Sequence, residues 1–272
     1  IQPSEIMKIA MPLMLAWYFQ KREGIQKTWD YAIAGIILAI PVFLIARQPD
    51  LGTALLVFAA GLYVIILAGL PWKWIVPFVG LGIIGILLII IFGGTICAHD
   101  IAWPFVHNYQ KHRICTLLDP SSDPLGKGFH TIQSMIAIGS GGFFGKGWFQ
   151  GTQAHLEFIP EKHTDFVFAV FSEEFGLLGN LILITLFFAL IKRGLAISAS
   201  APNLFTRLLG AAITLIFFTY AFVNIGMVSG ILPVVGVPLP FISYGGTSLV
   251  TVLLGFGILM SIHSHKTLMS TS

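Results

Sequence analysis

Seven runs of mostly apolar residues, each near the length that crosses a bilayer, constrain this chain more than anything else in it. They fall at about 4–20, 31–47, 51–69, 72–96, 166–192, 205–229 and 241–262. Crossing the hydrocarbon takes about 20 apolar residues. Inside lipid only helices or closed barrels satisfy their own backbone groups. Composition agrees, since 56% of the 272 residues are hydrophobic and 10% are charged, against about 25% charged in a soluble domain. The expected fold is an all-α polytopic membrane protein, a single integral membrane domain over residues 1–272. A net charge of +3, small and scattered, argues against nucleic acid as a partner. The chain opens at Ile1-Gln2, and apolar helix begins within a few residues. That start suggests an N-terminal truncation, with earlier spans missing.

Basic residues orient the spans. Lys21, Arg22 and Lys27 follow the first span, and Lys73 lies between the third and fourth. Lys192, Arg193 and Arg207 flank the loop after the fifth, and Lys266 follows the last. Alternation puts all of these on one side, read as cytoplasmic, together with the C-terminus. One large loop, about 97–165, is then outside. It carries Lys111, Arg113, Lys127, Lys146 and Lys162, but long loops count little in the charge rule. Cys97 and Cys115 both fall outside, where oxidation can occur. The sequence leaves their pairing open, and their spacing is not that of a zinc site.

The same alternation starts four helices on the outer face. Their first residues read Gln2-Pro3-Ser4-Glu5, Gln48-Pro49-Asp50-Leu51, His163-Thr164-Asp165-Phe166 and Pro238-Leu239-Pro240-Phe241-Ile242-Ser243-Tyr244-Gly245-Gly246. Taken singly, these are ordinary helix starts, with Pro near the first turn and an acid or hydroxyl as cap. Capping explains neither Lys8, a turn inside an apolar span, nor Arg47 beside Asp50. Ionisable groups at membrane depth are costly and usually functional. Together they read as one site on the outer face. Glu173 and Glu174 lie deeper in the fifth span and read as scaffolding. Pro41 in the second span is expected to kink it.

Within the outer loop, Gly139-Ser-Gly-Gly-Phe-Phe-Gly-Lys-Gly147 lacks the spacing of a P-loop. Two readings stand: backbone N–H groups and Lys146 presented to a diphosphate, or a turn between short interfacial helices.

Several segments carry a resemblance that runs from the first residue almost to the last. They include Gln48-Pro-Asp-Leu-Gly-Thr53, Leu118-Asp-Pro-Ser-Ser-Asp-Pro-Leu-Gly126, Ile138-Gly-Ser-Gly-Gly142, Gly145-Lys-Gly-Trp148 and His163-Thr-Asp-Phe166. Gln2-Pro-Ser-Glu-Ile6, Glu173-Glu174, Asn224-Ile-Gly-Met-Val-Ser-Gly230 through Pro240, and Ser243-Tyr-Gly-Gly246 complete the set. The chain resembles the SEDS family of bacterial envelope proteins (FtsW, RodA and SpoVE), and within it the RodA type. One departure is Gly93–Ala102, longer than the family pattern.

The resemblance implies a ten-helix fold, of which these seven spans are the last seven. It implies a peptidoglycan glycosyltransferase of the inner membrane, polymerising lipid II at the outer face for rod-shaped elongation. It further implies a class B penicillin-binding protein and the elongation machinery as partners, among membrane lipids. The family's essential acid falls on Asp165, and its conserved charges on Glu5, Lys8 and Asp50. Asp165 is expected to act as general base, or else to hold a divalent cation (Mg or Mn) on the diphosphate; no organic cofactor is expected. Lys8, Arg47, Arg113, Lys127 and Lys146 are candidates to face the diphosphate, with Glu5 and Asp50 orienting Lys8 and Arg47 or touching substrate. His163, Thr164 and Ser243 complete the expected substrate-binding set. The alternatives are a flippase for lipid-linked precursors, against which no inverted repeat is seen, and a non-catalytic scaffold.

Overall fold

A computed structural model describes residues 2–23, 28–48, 50–97, 108–119, 126–152 and 163–269. Its regular structure is helical: α1 (Pro3–Lys21), α2 (Thr28–Arg47), α3 (Leu51–Leu67), α4 (Trp72–Ile96), α5 (Asn108–Leu118), α6 (Lys127–Ser140), α7 (Val167–Ala199), α8 (Leu204–Val228) and α9 (Gly246–Met269). Five helices are long and apolar enough to cross a membrane: α2, α4, α7, α8 and α9. α3 is a shorter apolar helix, and α1 has the length but buries Glu5 and Lys8. Pro41 lies within α2, whose helix runs on past it.

Two compact units emerge. The first comprises residues 1–70, 181–223 and 235–272. Its core is the seam of α1, α2, α3, α8 and α9, centred on Met11, Leu15, Phe19, Val57, Val64 and Leu209. Gly61 is small where Leu38 and Leu15 press on α3, so the helices approach closely. Gly52 does the same where the Val235 carbonyl meets the start of α3.

The second unit comprises residues 71–180 and 224–234. α4 presents no buried face and has mean hydropathy 3.0, as expected of a helix surrounded by lipid. A disulfide joins Cys97, at its end, to Cys115 on α5. Ser134 on α6 donates to the Val228 carbonyl at 2.9 Å.

α7 is broken. Gly176 takes φ 65° and ψ −162°, so the ladder fails for one turn. A continuous helix would pair the N–H groups of Leu177 and Leu178 with the carbonyls of Glu173 and Glu174. Here the loop after α6 satisfies all four groups. Leu177 N–H donates to Gly142 O at 2.9 Å and Leu178 N–H to Phe143 O at 3.0 Å. In return Lys146 N–H donates to Glu173 O and Gly147 N–H to Glu174 O, both at 3.0 Å. The two backbones come so close that a Cβ on Gly141 would strike the Ser172 carbonyl, and one on Gly145 the Glu174 carbonyl. Gly145 also needs φ 79°.

The fifth and seventh spans differ from expectation in their bounds. α7 runs on to Ala199 rather than ending near 192, because Lys192 and Arg193 mark the edge of the apolar run and not the end of the helix. α9 begins at Gly246, not near 241. Pro240 disfavours helix at Leu239, and Phe241 adopts φ 65°.

Gly145→Ala is expected to lower the melting temperature of the purified protein by several degrees, since it adds both a backbone clash and a left-handed φ. Gly257→Ala, in a helix with open space around it, should leave the melting temperature unchanged or raise it. Circular dichroism in detergent measures both.

Candidate functional site

The predicted site residues divide between the units. Glu5, Lys8, Arg47, Asp50 and Ser243 belong to the first; Arg113, Lys127, Lys146, His163, Thr164 and Asp165 belong to the second.

In the first unit, α1 starts at Pro3, with Gln2 as an N-cap that makes no side-chain bond. Glu5 is therefore not a capping group. It lies 7% exposed beside Lys8 at 2%, and Lys8 Nζ donates to Glu5 Oε1 at 2.5 Å. Lys8 also donates to the Tyr220 hydroxyl at 2.6 Å and stands 4.9 Å from that ring's centroid. The second Glu5 oxygen, Oε2, and Ser4 Oγ are buried with no hydrogen-bond partner. The cluster can thus accept a hydroxyl or amide proton through Glu5 Oε2. A small pocket of about 30 Å³ adjoins it, lined by Lys8, Ile213, Tyr220, Thr251 and Phe256 among others.

Asp50 is a cap. It precedes α3, and its Oδ1 accepts from Thr53 N–H at 3.0 Å. Its Oδ2 accepts a longer bond, 3.4 Å, from Gln2. Arg47 does not pair with it: the guanidinium lies over the Phe43 ring at 4.9 Å. Among the described residues, no carboxylate pairs with this cation at the end of α2. Ser243 accepts from Leu239 N–H at 2.7 Å, which holds the turn ahead of α9.

In the second unit, His163, Thr164 and Asp165 form the turn that leads into α7. His163 is exposed, while Thr164 and Asp165 are half-buried. The Asn224 side chain donates to the Asp165 carbonyl at 2.9 Å. Phe166 is buried, with its ring edge-on to His130 of α6. These contacts fix the backbone that carries the Asp165 carboxylate. The clasp at Gly176 then holds the same short stretch of α7 from its other end, about 13 Å along.

Lys146 is committed elsewhere. Its ammonium meets Glu173 Oε1 at 2.6 Å and Thr152 Oγ1 at 2.9 Å. Glu173 is fully buried and also accepts the Thr152 N–H at 2.8 Å and hydroxyl at 2.9 Å. The glycine-rich loop accordingly has its Lys146 and Gly147 amides and its lysine engaged within the protein, and Glu173 joins that loop to α7. Arg113 lines a pocket of about 20 Å³ with His112, Thr116 and Thr131, room for a water. The Lys127 side chain, Lys162 and residues 153–162 lie outside the described residues. Among the described residues no three His, Cys, Asp or Glu side chains gather as a metal cage.

Sequence reasoning missed Tyr220, an aromatic in an apolar span that reads as packing. It also gave Asn224 no role, although that residue lies in a quoted motif.

A family model described as cell cycle protein, covering FtsW, RodA and SpoVE, matches residues 1–268. The chain is 51% identical, over all of its length and 70% of the relative's, to the peptidoglycan glycosyltransferase MrdB of Escherichia coli K12. Among solved structures it resembles a chain of a peptidoglycan synthase complex that coordinates polymerization and crosslinking. That match has TM-score 0.75 and 34% identity, over 98% of this chain and 70% of the other. It also resembles Thermus thermophilus RodA, at TM-score 0.64 and 28% identity, over 98% of this chain and 66% of the other.

Removing one partner of a buried ion pair costs about 3–5 kcal/mol, whereas replacing both with apolar groups is often nearly neutral. Glu5→Leu should therefore destabilise the protein by about that amount, and Glu5→Leu with Lys8→Met should recover most of the loss. Denaturant titration in detergent gives both numbers.

Proposed function

Because the chain belongs to the FtsW/RodA/SpoVE family and is a multi-pass membrane peptidoglycan glycosyltransferase, we propose that it polymerises lipid II with Asp165 as the general base. The observation that supports this most directly is the anchoring of the Asp165 turn by Asn224. A base must be held within hydrogen-bond reach of the proton it takes, and here the backbone beneath the carboxylate is pinned.

The sugar 4-hydroxyl of the acceptor attacks the anomeric carbon of the donor. A C–O bond forms on one face as the bond to the lipid diphosphate breaks on the other, which inverts the centre. Asp165 accepts the hydroxyl proton as attack proceeds, a contribution of about 10²–10⁴ in rate. The departing diphosphate gathers negative charge, which calls for positive groups already in place. Lys8 is neutralised by Glu5 and offers a directed N–H more than a free charge. Arg47, which has no carboxylate partner among the described residues, leads the remaining candidates, with Arg113 and Lys127. Glu5 Oε2, buried and unused, suits a sugar hydroxyl or amide N–H.

A divalent cation such as Mg or Mn, if Asp165 holds one, would take most of its oxygen ligands from diphosphate and water. Magnesium commonly binds in this way, through one or two carboxylates. In this reading the large loop and Asp165 lie outside the cytoplasmic membrane and the C-terminus inside. A class B penicillin-binding protein of the elongation machinery cross-links the strands.

Asp165→Asn should retain the fold and lower lipid II polymerisation in liposomes by at least 10², read as glycan product on gels. Full activity would sink the assignment. A purely scaffolding protein would yield no product even as wild type. Asn224→Ala, which frees the turn without touching the carboxylate, is expected to lower kcat about tenfold with KM little changed. A KM effect alone would assign Asn224 to substrate binding instead.

A further inference from the structure

A large cavity in the first unit lies away from Asp50 and Lys8. It lies where α3 and α7 end and α8 begins, and it measures about 310 Å³, against 30 Å³ or less beside Lys8 and Tyr220. Leu67, Leu195, Ala199, Leu204 and Leu208 line it, and Arg207 stands at its rim. Its volume falls in the range that holds a small molecule or a segment of acyl chain.

The surrounding charges are mostly positive. Contacts tie several helix ends together here: Phe205 N–H of α8 donates to Gln20 Oε1 of α1 at 2.7 Å. Tyr31 of α2 donates to the Gly69 carbonyl, just past α3, at 3.1 Å. The cations carried by these ends are Lys21, Arg22, Lys192, Arg193 and Arg207; the acids are Glu23 and Asp30. Asp30 is buried and faces Arg22 at 3.9 Å. Arg193 contacts His263. Arg207 and Lys192 are exposed, and neither forms an ion pair among the described residues. Lys192 shares a helix face with the lining residues Leu195 and Ala199, three and seven positions on, and a long side chain can reach from there to the interface.

An apolar slot with unpaired cations at its mouth, at the end of a membrane helix bundle, has the chemistry of a phospholipid site. We propose that this slot binds one anionic phospholipid, with an acyl chain along Leu195, Leu204 and Leu208 and the headgroup phosphate at Arg207 and Lys192. Neither the glycosyltransferase reading nor the role of Asp165 enters the argument. A zwitterionic lipid could fill the slot but would not repay the two cations.

The test is native mass spectrometry of the purified protein, equilibrated in micelles with phosphatidylglycerol or with phosphatidylcholine. One phosphatidylglycerol should be retained at about tenfold lower lipid concentration than phosphatidylcholine. Arg207→Gln with Lys192→Gln, both exposed and safe for folding, should abolish that preference. Ala211→Trp, which fills the slot from α8, should remove the retained lipid of either kind, and millimolar inorganic phosphate should displace none. Equal retention of the two lipids by wild type overturns the proposal, as does a preference that survives the double substitution. Displacement by free phosphate would mark a simple anion site and overturn it too.

Discussion

A helix that breaks within a membrane span frees backbone groups that lipid cannot satisfy, at several kcal/mol each. In α7 the break at Gly176 frees two amides and two carbonyls, and the loop from Gly141 to Gly147 pairs with all four. Everything that loop does elsewhere follows from that pairing. Its glycines are small because two backbones touch, and its Lys146 and Gly147 amides are held by the carbonyls of Glu173 and Glu174. The buried Glu173 carboxylate then ties down Lys146 and Thr152, so one acid closes the arrangement at side-chain level. The purpose this serves is local: the first turns of α7 form a short, separately held piece, and Asp165 is at its head.

Much of this was legible in the sequence, and what was not has a physical explanation. The seven apolar runs located every long helix, because hydropathy over about 20 residues reports the environment directly. Their ends were less certain. Lys192 and Arg193 closed the apolar run but not α7, since a helix continues into water wherever its hydrogen bonds do. The start of α9 was misplaced because Pro238 and Pro240 impose a turn that mean hydropathy does not register. The break at Gly176 left no sequence mark, for a glycine in an apolar helix is common. It becomes visible only with the φ of 65° and the loop laid against it.

The acids at helix starts were harder. Glu5 and Asp50 looked alike in sequence, each in or before a first turn near a proline and a base. In the structure Asp50 caps Thr53 while Glu5 lies buried on Lys8. Which of the two an acid does depends on whether a base reaches it across one turn. Lys8 is three residues after Glu5 on the same face, and Arg47 has swung over Phe43 instead. The partner that completes the Glu5–Lys8 pair, Tyr220, is 212 residues from Lys8, beyond any argument from spacing.

The two candidate centres also differ in how much freedom they retain. Around Glu5 the charge is already balanced, and what remains is directional: one lysine N–H and one unused carboxylate oxygen. Under the proposed function, that suits recognition of neutral hydroxyls and amides, which lipid II has in number. At Asp165 the backbone is what the fold has fixed. Asn224 and Phe166 hold it while the residue stays half-exposed, so position and access come together. The proposed general base needs both, since it must stand within hydrogen-bond reach of the proton it takes. The two acids therefore differ in what the fold has settled: the ion pair at Glu5 and the backbone at Asp165.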